Sequence, residues 1–597
     1  MEKKTLCLSV LLGFLLLFSA CQENRRSANQ RGIAQQEQTP SAQTPTVEKH
    51  RIEVPRTVDA PPPPPPPPPV YEEIPREEFM EEKELEFSNQ SIERDLSIQA
   101  PPAPVPPKPS RRDNWDDGNT ETYDHIVEND FQLVTDHALS TFSVDVDRAS
   151  YANVRRMLSQ GQLPPKGSVR IEEFINYFDY DYAQPDGEQP FSISTEMADC
   201  PWNMEHKLLH LGLQGKELAQ GEVPPSNLVF LIDVSGSMQD NNKLPLLKNA
   251  FKLLVGQLDA KDRIAIVVYA GSSGLVLPAT PGSEKEKIMQ AINSLYPGGS
   301  TAGAEGIRLA YQIAQENFMA EGNNRIILAT DGDFNIGVSS ESGLVNLIEE
   351  KRNGGIFLSV LGFGTGNYKD ATMEKLADKG NGNYAYIDNL FEAKKVLVNE
   401  FSGTLFTIAK DVKIQIEFNP AKVHAYRLIG YENRILKKED FNDDTKDAGE
   451  IGAGHTVTAL YEIIPVGANN TLAGKVDELK YQSVTTLPTA QQYPEWMTIK
   501  LRYKEPTGTV SKLLTLTVEN RDLKWQKSSD NYRFSAAVAA FGMTLRDSQY
   551  KGTTDFNLIS KLAISAKGDD REGYRAEFVR LTGLAEVLMP KEQMKSD

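Results

Sequence analysis

The clearest pattern in the chain is an apolar run that turns abruptly polar, at residues 227–238 (NLVFLIDVSGSM). The run at 228–232 is continuously apolar, which is typical of a central strand buried on both faces of a parallel sheet. Asp233, Ser235 and Ser237 then fall on alternate positions. Because alternate side chains of extended backbone share one side, three oxygen-bearing groups can face one point. The pattern predicts a strand whose carboxyl end presents oxygen ligands.

Strand and helix patterns alternate after this stretch, to about residue 405. Helical periodicity begins at Lys243, Glu284, Ala304, Leu344, Ala371 and Leu390, and strand patterns begin at Asp262, Leu275, Arg325, Ile356 and Asn383. This alternation predicts an α/β fold with a doubly wound, mostly parallel sheet.

Outside that region the apolar residues recur with a period of two, which predicts antiparallel strands. These strands are 140–147, 191–200 and 206–215, and others that begin at Asp411, His424, His455, Glu495 and Lys512. We hypothesise one β-sandwich into which the α/β domain is inserted, so that strands in 191–215 pair with strands in 411–520. Helices are predicted at 147–161, from Val169 (VRIEEFINYFDYDY, with aromatic residues expected in the core), and from Asn531, Asp555 and Tyr574.

The N-terminus has the features of a secretory signal. Lys3 and Lys4 precede an apolar stretch, 5–20, that is short for a spanning helix. It ends in FSAC, which resembles a bacterial lipobox although Phe18 stands where Leu is usual. We therefore expect Cys21 to become the lipidated first residue of the mature protein. The alternatives are a plain signal peptide with an incidental Cys21, or an uncleaved anchor.

Residues 21–114 are predicted to be a disordered tether, because they are rich in Gln, Ser, Glu and Pro. Two proline-rich runs, 61–69 and 101–110, favour extended polyproline II. A semi-rigid spacer is the simpler interpretation, and a docking motif for a proline-binding partner is the alternative.

Charge and residue usage exclude several functions. The 597 residues carry a formal net charge of −19, which argues against nucleic-acid binding. Three cysteines make no disulfide framework, and we expect Cys200 to be a buried free thiol. No histidine lies between 227 and 412, so the α/β region has neither a histidine-based triad nor a zinc site. A hydrolase with Asp233 and Asp331 around a metal-bound water remains an alternative.

Two later stretches strengthen the polar cluster, since D-x-S-x-S alone is a weak signal. The first, 298–307 (GGSTAGAEGI), is a glycine-rich loop that opens a helix, and the second, 325–335 (RIILATDGDFN), is an apolar strand that ends in Thr330-Asp331-Gly332. All three stretches lie where a strand ends, at the edge where open α/β sheets bind ligands. Hard oxygen ligands favour Mg²⁺, Mn²⁺ or Ca²⁺.

These three stretches resemble the metal-ion-dependent adhesion site (MIDAS) of von Willebrand factor type A (VWA) domains. The resemblance implies that the hydroxyls of Ser235, Ser237 and Thr301 bind the metal directly. Asp233 and Asp331 would bind it directly or through water. One coordination position would stay open for an acidic group of a partner.

A wider resemblance, over roughly 130–590, is to bacterial YfbK-like VWA proteins. The motifs that carry it include STFSVDVDRASYANVRRML, KLPLLKNAFKLLV, LGFGTGNYKD, DAGEIGAGHTVTALYEI and FSAAVAAFGMTLRDS. The predicted organisation is a signal peptide (1–20), a tether (21–114), a VWA-associated N-terminal domain (115–222), a VWA domain (223–405) and a C-terminal domain of strands and helices (406–597).

The function we expect is that of a non-enzymatic lipoprotein of the bacterial envelope, anchored to a membrane and facing the periplasm or the surface. It would bind an envelope protein that presents Asp or Glu to the metal. The alternative is a structural scaffold in which a metal only rigidifies the loops. The loop at 362–370 (GFGTGNYKD) lacks a P-loop pattern and does not favour nucleotide binding.

Overall fold

The computed structural model describes residues 121–590, apart from gaps at 145–146, 220–222, 301–302, 333–340, 367, 401–402, 404, 469–471 and 473–486. The predicted signal peptide, Cys21 and the tether lie outside the described residues.

The strands are β1 (Gln132–Leu133), β2 (Leu139–Ser143), β3 (Phe191–Cys200), β4 (Asn203–Gly215), β5 (Ser226–Asp233), β6 (Arg263–Tyr269), β7 (Ser273–Pro281), β8 (Asn323–Thr330), β9 (Ile356–Phe363), β10 (Tyr384–Ile387), β11 (Thr407–Phe418), β12 (Val423–Ile429), β13 (Gly449–Gly452), β14 (Thr456–Pro465), β15 (Met497–Lys504) and β16 (Lys512–Val518). The α-helices are α1 (Ala149–Ser159), α2 (Ile171–Asn176), α3 (Leu244–Gln257), α4 (Lys285–Asn293), α5 (Gly303–Glu316), α6 (Glu341–Asn353), α7 (Asp370–Lys379), α8 (Leu390–Lys394, continued by a π-helix at Lys395–Asn399), α9 (Asp530–Arg546), α10 (Phe556–Ser565) and α11 (Tyr574–Leu588).

The α/β sheet has the strand order β10-β9-β8-β5-β6-β7. Its pairs are parallel except β6 with β7. Every residue of the central strand β5 is buried, because α3 covers one face and α5 the other, with separate apolar clusters on the two sides. The doubly wound, mostly parallel sheet is therefore confirmed.

The flanking domain is a sandwich of two antiparallel sheets. One has the order β1-β12-β14-β4-β3, and the other contains β13-β11-β15-β16 with β2 also paired to β11. The strands before the α/β domain pair with those after it, as Leu211 opposite Ala459 and Phe142 opposite Ile414 show. The α/β domain is thus inserted into the sandwich, as we hypothesised.

Helices α1, α2 and α9–α11 pack in an apolar cluster against the outer face of the first sheet. The predicted helix from Val169 is shorter than expected, because α2 ends at Asn176. The next two residues, Tyr177 and Phe178, are both buried: the ring of Tyr177 stacks on Tyr151 at 4.0 Å, and Phe178 packs on Phe534 at 4.9 Å. Burial of these aromatic side chains overrides the helical periodicity.

Ion pairs join the two domains. Arg155 of α1 contacts Asp388 and Glu392 of the α/β domain, and Arg170 contacts Asp370 at the start of α7. Their side chains are less than a tenth exposed, so these contacts fix the orientation of the α/β sheet on the sandwich.

Cys200 at the end of β3 is a buried free thiol, as predicted. Burial raises the pKa of this thiol well above its usual value, which makes it unreactive in the folded protein.

Candidate metal centre

Asp233 is the last residue of β5 and is fully buried at the carboxyl edge of the sheet. Its Oδ1 accepts the backbone N–H of Ser235 at 2.9 Å. Its Oδ2 accepts the hydroxyl of Tyr269, at the end of β6, and that of Thr330, at the end of β8, each at 3.2 Å. Three neighbouring strands therefore hold one carboxylate in place. Burial raises the pKa of the Asp233 carboxyl to about 6, the hydrogen bonds from Ser235 oppose that shift, and the charge of Asp331 adds to it.

The two serines follow β5. The extended backbone predicted through Ser237 ends at Ser235, because Gly236–Gln239 forms a 3₁₀ turn. Ser235 is buried, Ser237 is exposed, and their hydroxyl oxygens lie 3.0 Å apart. Adjacent ligands of an octahedral Mg²⁺, with bonds of about 2.0–2.1 Å, are separated by about 2.9 Å. The two hydroxyls therefore have the spacing of neighbouring magnesium ligands.

The glycine-rich loop approaches this first loop directly. Gly298 donates its N–H to the carbonyl of Val234 at 2.7 Å, and Gly236 donates to the carbonyl of Gly299 at 3.1 Å. Gly299 has a φ of +87° and closely approaches the backbone of Gly271, so a side chain there would be strained. Thr301, the predicted ligand of this loop, lies outside the described residues.

Asp331 follows β8 and is 2% exposed. Its Oδ2 accepts a hydrogen bond from the Nζ of Lys243 at 2.9 Å. Asp331 is near enough to Asp233 for its charge to act on that carboxyl. The structure therefore brings together Asp233, Ser235, Ser237 and Asp331, the predicted ligands that it describes.

Lys243 is a residue of this centre that sequence reasoning did not identify. It precedes α3, and its side chain is 8% exposed. Gly364, with a φ of +77°, packs against its aliphatic stem, and a Cβ at that position would collide with it. The loop after β9, which has no P-loop pattern, thus packs on this lysine. A lone lysine beside an amphipathic helix has no distinguishing pattern, and only its contact with Asp331 identifies it.

The donors at this edge fit a hard divalent cation. In the described ranges, no group of three His, Cys, Asp or Glu side chains is placed to hold a metal ion. A metal here would depend on hydroxyl ligands together with the two carboxylates, and such oxygen donors suit Mg²⁺, Mn²⁺ or Ca²⁺.

The histidines at 206 and 210 lie on β4, away from this centre. His206 Nδ1 contacts Glu462 Oε1 at 2.6 Å. His210 contacts the hydroxyls of Tyr182 and Ser535 at 2.6 and 2.9 Å. Both rings are buried in hydrogen-bonded networks of the sandwich, which is a structural role.

Family profiles match three consecutive parts of the chain: von Willebrand factor at 117–210, von Willebrand factor type A domain at 227–400, and Uncharacterized protein YfbK, C-terminal, at 403–588. The Uncharacterized protein YfbK of Escherichia coli (strain K12) is 45% identical over 474 residues, which are 78% of this chain and 81% of that protein. The chain belongs to the YfbK family of VWA proteins. The inserted α/β domain is thus the VWA domain of a YfbK-family protein.

More distant relatives share smaller parts of this YfbK-family chain. Human inter-alpha-trypsin inhibitor heavy chain H4 is 30% identical over 167 residues, 26% of this chain and 18% of that protein. The solved structure of a von Willebrand factor type A protein from Catenulispora acidiphila covers 66% of this chain and 90% of its own, with 14% identity and a TM-score of 0.36. Similarity at that level does not bear on function. Along the described ranges, no helix has the length and apolarity needed to cross a membrane.

Proposed function

We propose that this protein binds a partner protein through a divalent cation at the edge of its VWA domain. Ser235, Ser237 and Thr301 would hold the cation, with Asp233 and Asp331 binding directly or through water. The observation that supports this proposal is the 3.0 Å separation of the two serine hydroxyls, beside two buried carboxylates.

The charges of the centre favour an acidic ligand. Asp233, Asp331 and Lys243 together carry about one negative charge when all are ionised, so a divalent cation leaves the centre with about one positive charge. An Asp or Glu side chain of a partner would neutralise that charge and complete the coordination. Such a site binds a ligand without chemistry on it, and we propose that the protein is not an enzyme.

Ser237→Ala is the most direct test, because Ser237 is exposed and its hydroxyl is hydrogen-bonded to Ser235. We expect the affinity for Mn²⁺, measured by electron paramagnetic resonance, to fall at least about tenfold. Ser283→Ala, at another exposed serine of the same domain, is the matched control. Unchanged Mn²⁺ affinity in Ser237→Ala would contradict the proposed site.

Partner binding is tested with the full chain on envelope extract, with Mg²⁺ and with EDTA. An adhesion-type site predicts a partner that is captured with Mg²⁺ by wild type and lost in EDTA and in Ser237→Ala. A partner that is retained in all three conditions would move the function to the sandwich or the tether, and would favour the scaffold alternative.

We further propose that the chain is a lipoprotein of the bacterial envelope, anchored through Cys21. The apolar stretch at 5–20 and the FSAC sequence support it. More than one acyl chain is needed for stable anchoring. Cells fed a palmitate analogue should label the wild type, and Cys21→Ser should lose both the label and membrane association. Equal labelling of the two proteins would refute lipidation at this residue.

A further inference from the structure

A cavity of about 570 Å³ lies between the VWA domain and the sandwich. Asn323 at the first position of β8 lines it and pairs with Ser226, the first residue of β5. Asp233 is the last residue of β5, so the cavity lies at the opposite edge of the sheet, more than about 20 Å from the candidate metal centre. The metal proposal does not account for it.

The cavity has an apolar wall. Phe318, after α5, and Phe357 of β9 come from the VWA domain, and Leu405 and Phe406 precede β11 of the sandwich. The last two are buried, whereas Phe318 is 39% exposed and marks the mouth. These side chains can cover the apolar body of a small molecule, as in typical ligand sites.

Three polar atoms on residues that line the same cavity have no hydrogen-bond partner, although each is buried: Asn323 Nδ2, Asn381 Oδ1 and Glu450 Oε1. Asn323 is 8% exposed. Buried polar atoms in native proteins are nearly always paired, so an unpaired atom marks a position where a hydrogen-bonding partner can be accommodated. Together they offer one N–H donor and two acceptors.

The field around these atoms does not favour a charged ligand. Burial raises the pKa of the Glu450 carboxyl well above its usual value, and Asp447 and Asp411 act in the same direction. Lys410 and Glu321 also line the cavity. Positive and negative groups thus both face this space, so that a neutral ligand meets the least repulsion.

We propose that this cavity binds a small, uncharged molecule that carries a primary carboxamide on an apolar body. A carboxamide has one carbonyl acceptor and two N–H donors, which is the complement of the three unpaired atoms. Its carbonyl accepts from Asn323, its NH₂ group donates to Asn381 and Glu450, and its apolar body lies against the phenylalanines. This site is independent of the divalent-cation site.

The probe is 4-fluorophenylacetamide, followed by ¹⁹F NMR on the full chain, with 4-fluorophenylacetate and 4-fluoroethylbenzene as comparisons. We expect the amide to bind with a Kd of about 1 mM or below, as its few heavy atoms allow. The acid and the hydrocarbon should bind at least about fivefold more weakly.

Two variants remove the acceptors. Asn381→Gly is suited to the test because Asn381 has a φ of +48°, which glycine adopts without strain. Glu450→Leu should also fold, since it removes an unpaired buried group. Each should weaken amide binding about three- to tenfold, whereas Glu450→Gln, which keeps a carbonyl acceptor, should bind within about twofold of wild type.

Equal affinity for the amide and the acid, or unchanged amide affinity in both acceptor variants, would overturn the proposal. So would an absence of amide binding up to about 10 mM, which would mean that water alone fills the cavity. Ser237→Ala and EDTA should leave amide binding unchanged, so failure of the metal proposal and failure of this one are distinguishable.

Discussion

Lys243→Met examines the ion pair inside the metal centre. The ammonium of Lys243 lies 2.9 Å from Asp331 Oδ2, with the two side chains 8% and 1% exposed. At this distance and an effective dielectric constant of about 20, their Coulomb attraction is about 6 kcal/mol before the cost of desolvation. The net contribution of a hydrogen bond between charged groups is smaller, about 1.5–3 kcal/mol.

A divalent cation and the ammonium compete for the same carboxylate. Binding of the cation then breaks the hydrogen bond between Lys243 and Asp331 and loses the free energy that it contributes. Removing the lysine should therefore raise the affinity for Mg²⁺ or Mn²⁺ about 10- to 100-fold. Without metal, the variant removes the buried ion pair of Lys243 with Asp331, and the free energy of unfolding should fall by about 3–5 kcal/mol. The stability lost in EDTA should return in Mg²⁺, because a cation that binds only the folded state stabilises it.

Calorimetric titration with Mn²⁺ and chemical unfolding with and without Mg²⁺ provide the two measurements. Lys252→Met, nine residues further along α3 and therefore about 13 Å away along the helix axis, changes the net charge equally and is the matched control. Weaker metal binding in Lys243→Met would refute the argument, since it would mean that the lysine positions Asp331 for the metal and does not compete with it.

Two further predictions concern the surroundings of the centre. Gly364→Ala should lower the free energy of unfolding by about 1–3 kcal/mol, because its φ is +77° and its Cβ would collide with the Lys243 stem; denaturant unfolding measures it, and an unchanged midpoint would contradict the packing. Burial raises the pKa of Glu374 to about 7. The charged groups around this carboxyl are Arg170 at 3.6 Å, Arg434 at 3.9 Å, Asp370 and Asp378. The folded state therefore keeps this proton between about pH 4.5 and 7 while the unfolded state releases it, so this group's contribution to stability falls as pH rises through that window. Between about pH 4.5 and 7, the free energy of unfolding should fall by about 1–3 kcal/mol less in Glu374→Gln than in the control Glu349→Gln. Equal pH profiles of the two variants would refute this prediction.

The strands of this fold were predictable because burial on one or both faces determines how apolar residues are spaced along the chain. The continuous apolar run of β5 and the period of two in β4 each identify the environment of their strand. The insertion was also predictable, because patterns typical of antiparallel strands occur both before and after the VWA region. The length of helix α2 was overestimated. The consecutive aromatic residues that follow it are buried by contacts with other segments, and the pattern of one segment does not reveal such contacts.

Part of the candidate site followed from spacing alone. Asp233 and Ser235 lie close because they stand on alternate positions of extended backbone, and Asp331 joins them because parallel strands end at one edge. Ser237 reaches Ser235 through the 3₁₀ turn at Gly236–Gln239, which the alternation did not predict. The sequence did not indicate the contacts that Thr330, Tyr269 and Lys243 make with the two carboxylates, because these hydrogen bonds join elements far apart in sequence. The cavity between the domains could not be predicted from the sequence for the same reason. Its lining residues come from both domains, and no single segment contains them all.

The insertion has a consequence for the order in which the protein is made. Strand β4 emerges before the VWA domain, whereas its neighbour β14 is synthesised after it. At typical rates of about 5–20 residues per second, β4 waits on the order of 10–50 s for that partner. During this interval the VWA sheet can fold, since its strands lie in one continuous segment, whereas one edge of β4 stays open to incorrect pairing. Slower delivery of the VWA region, during synthesis or export, would prolong this exposure of β4 to incorrect pairing.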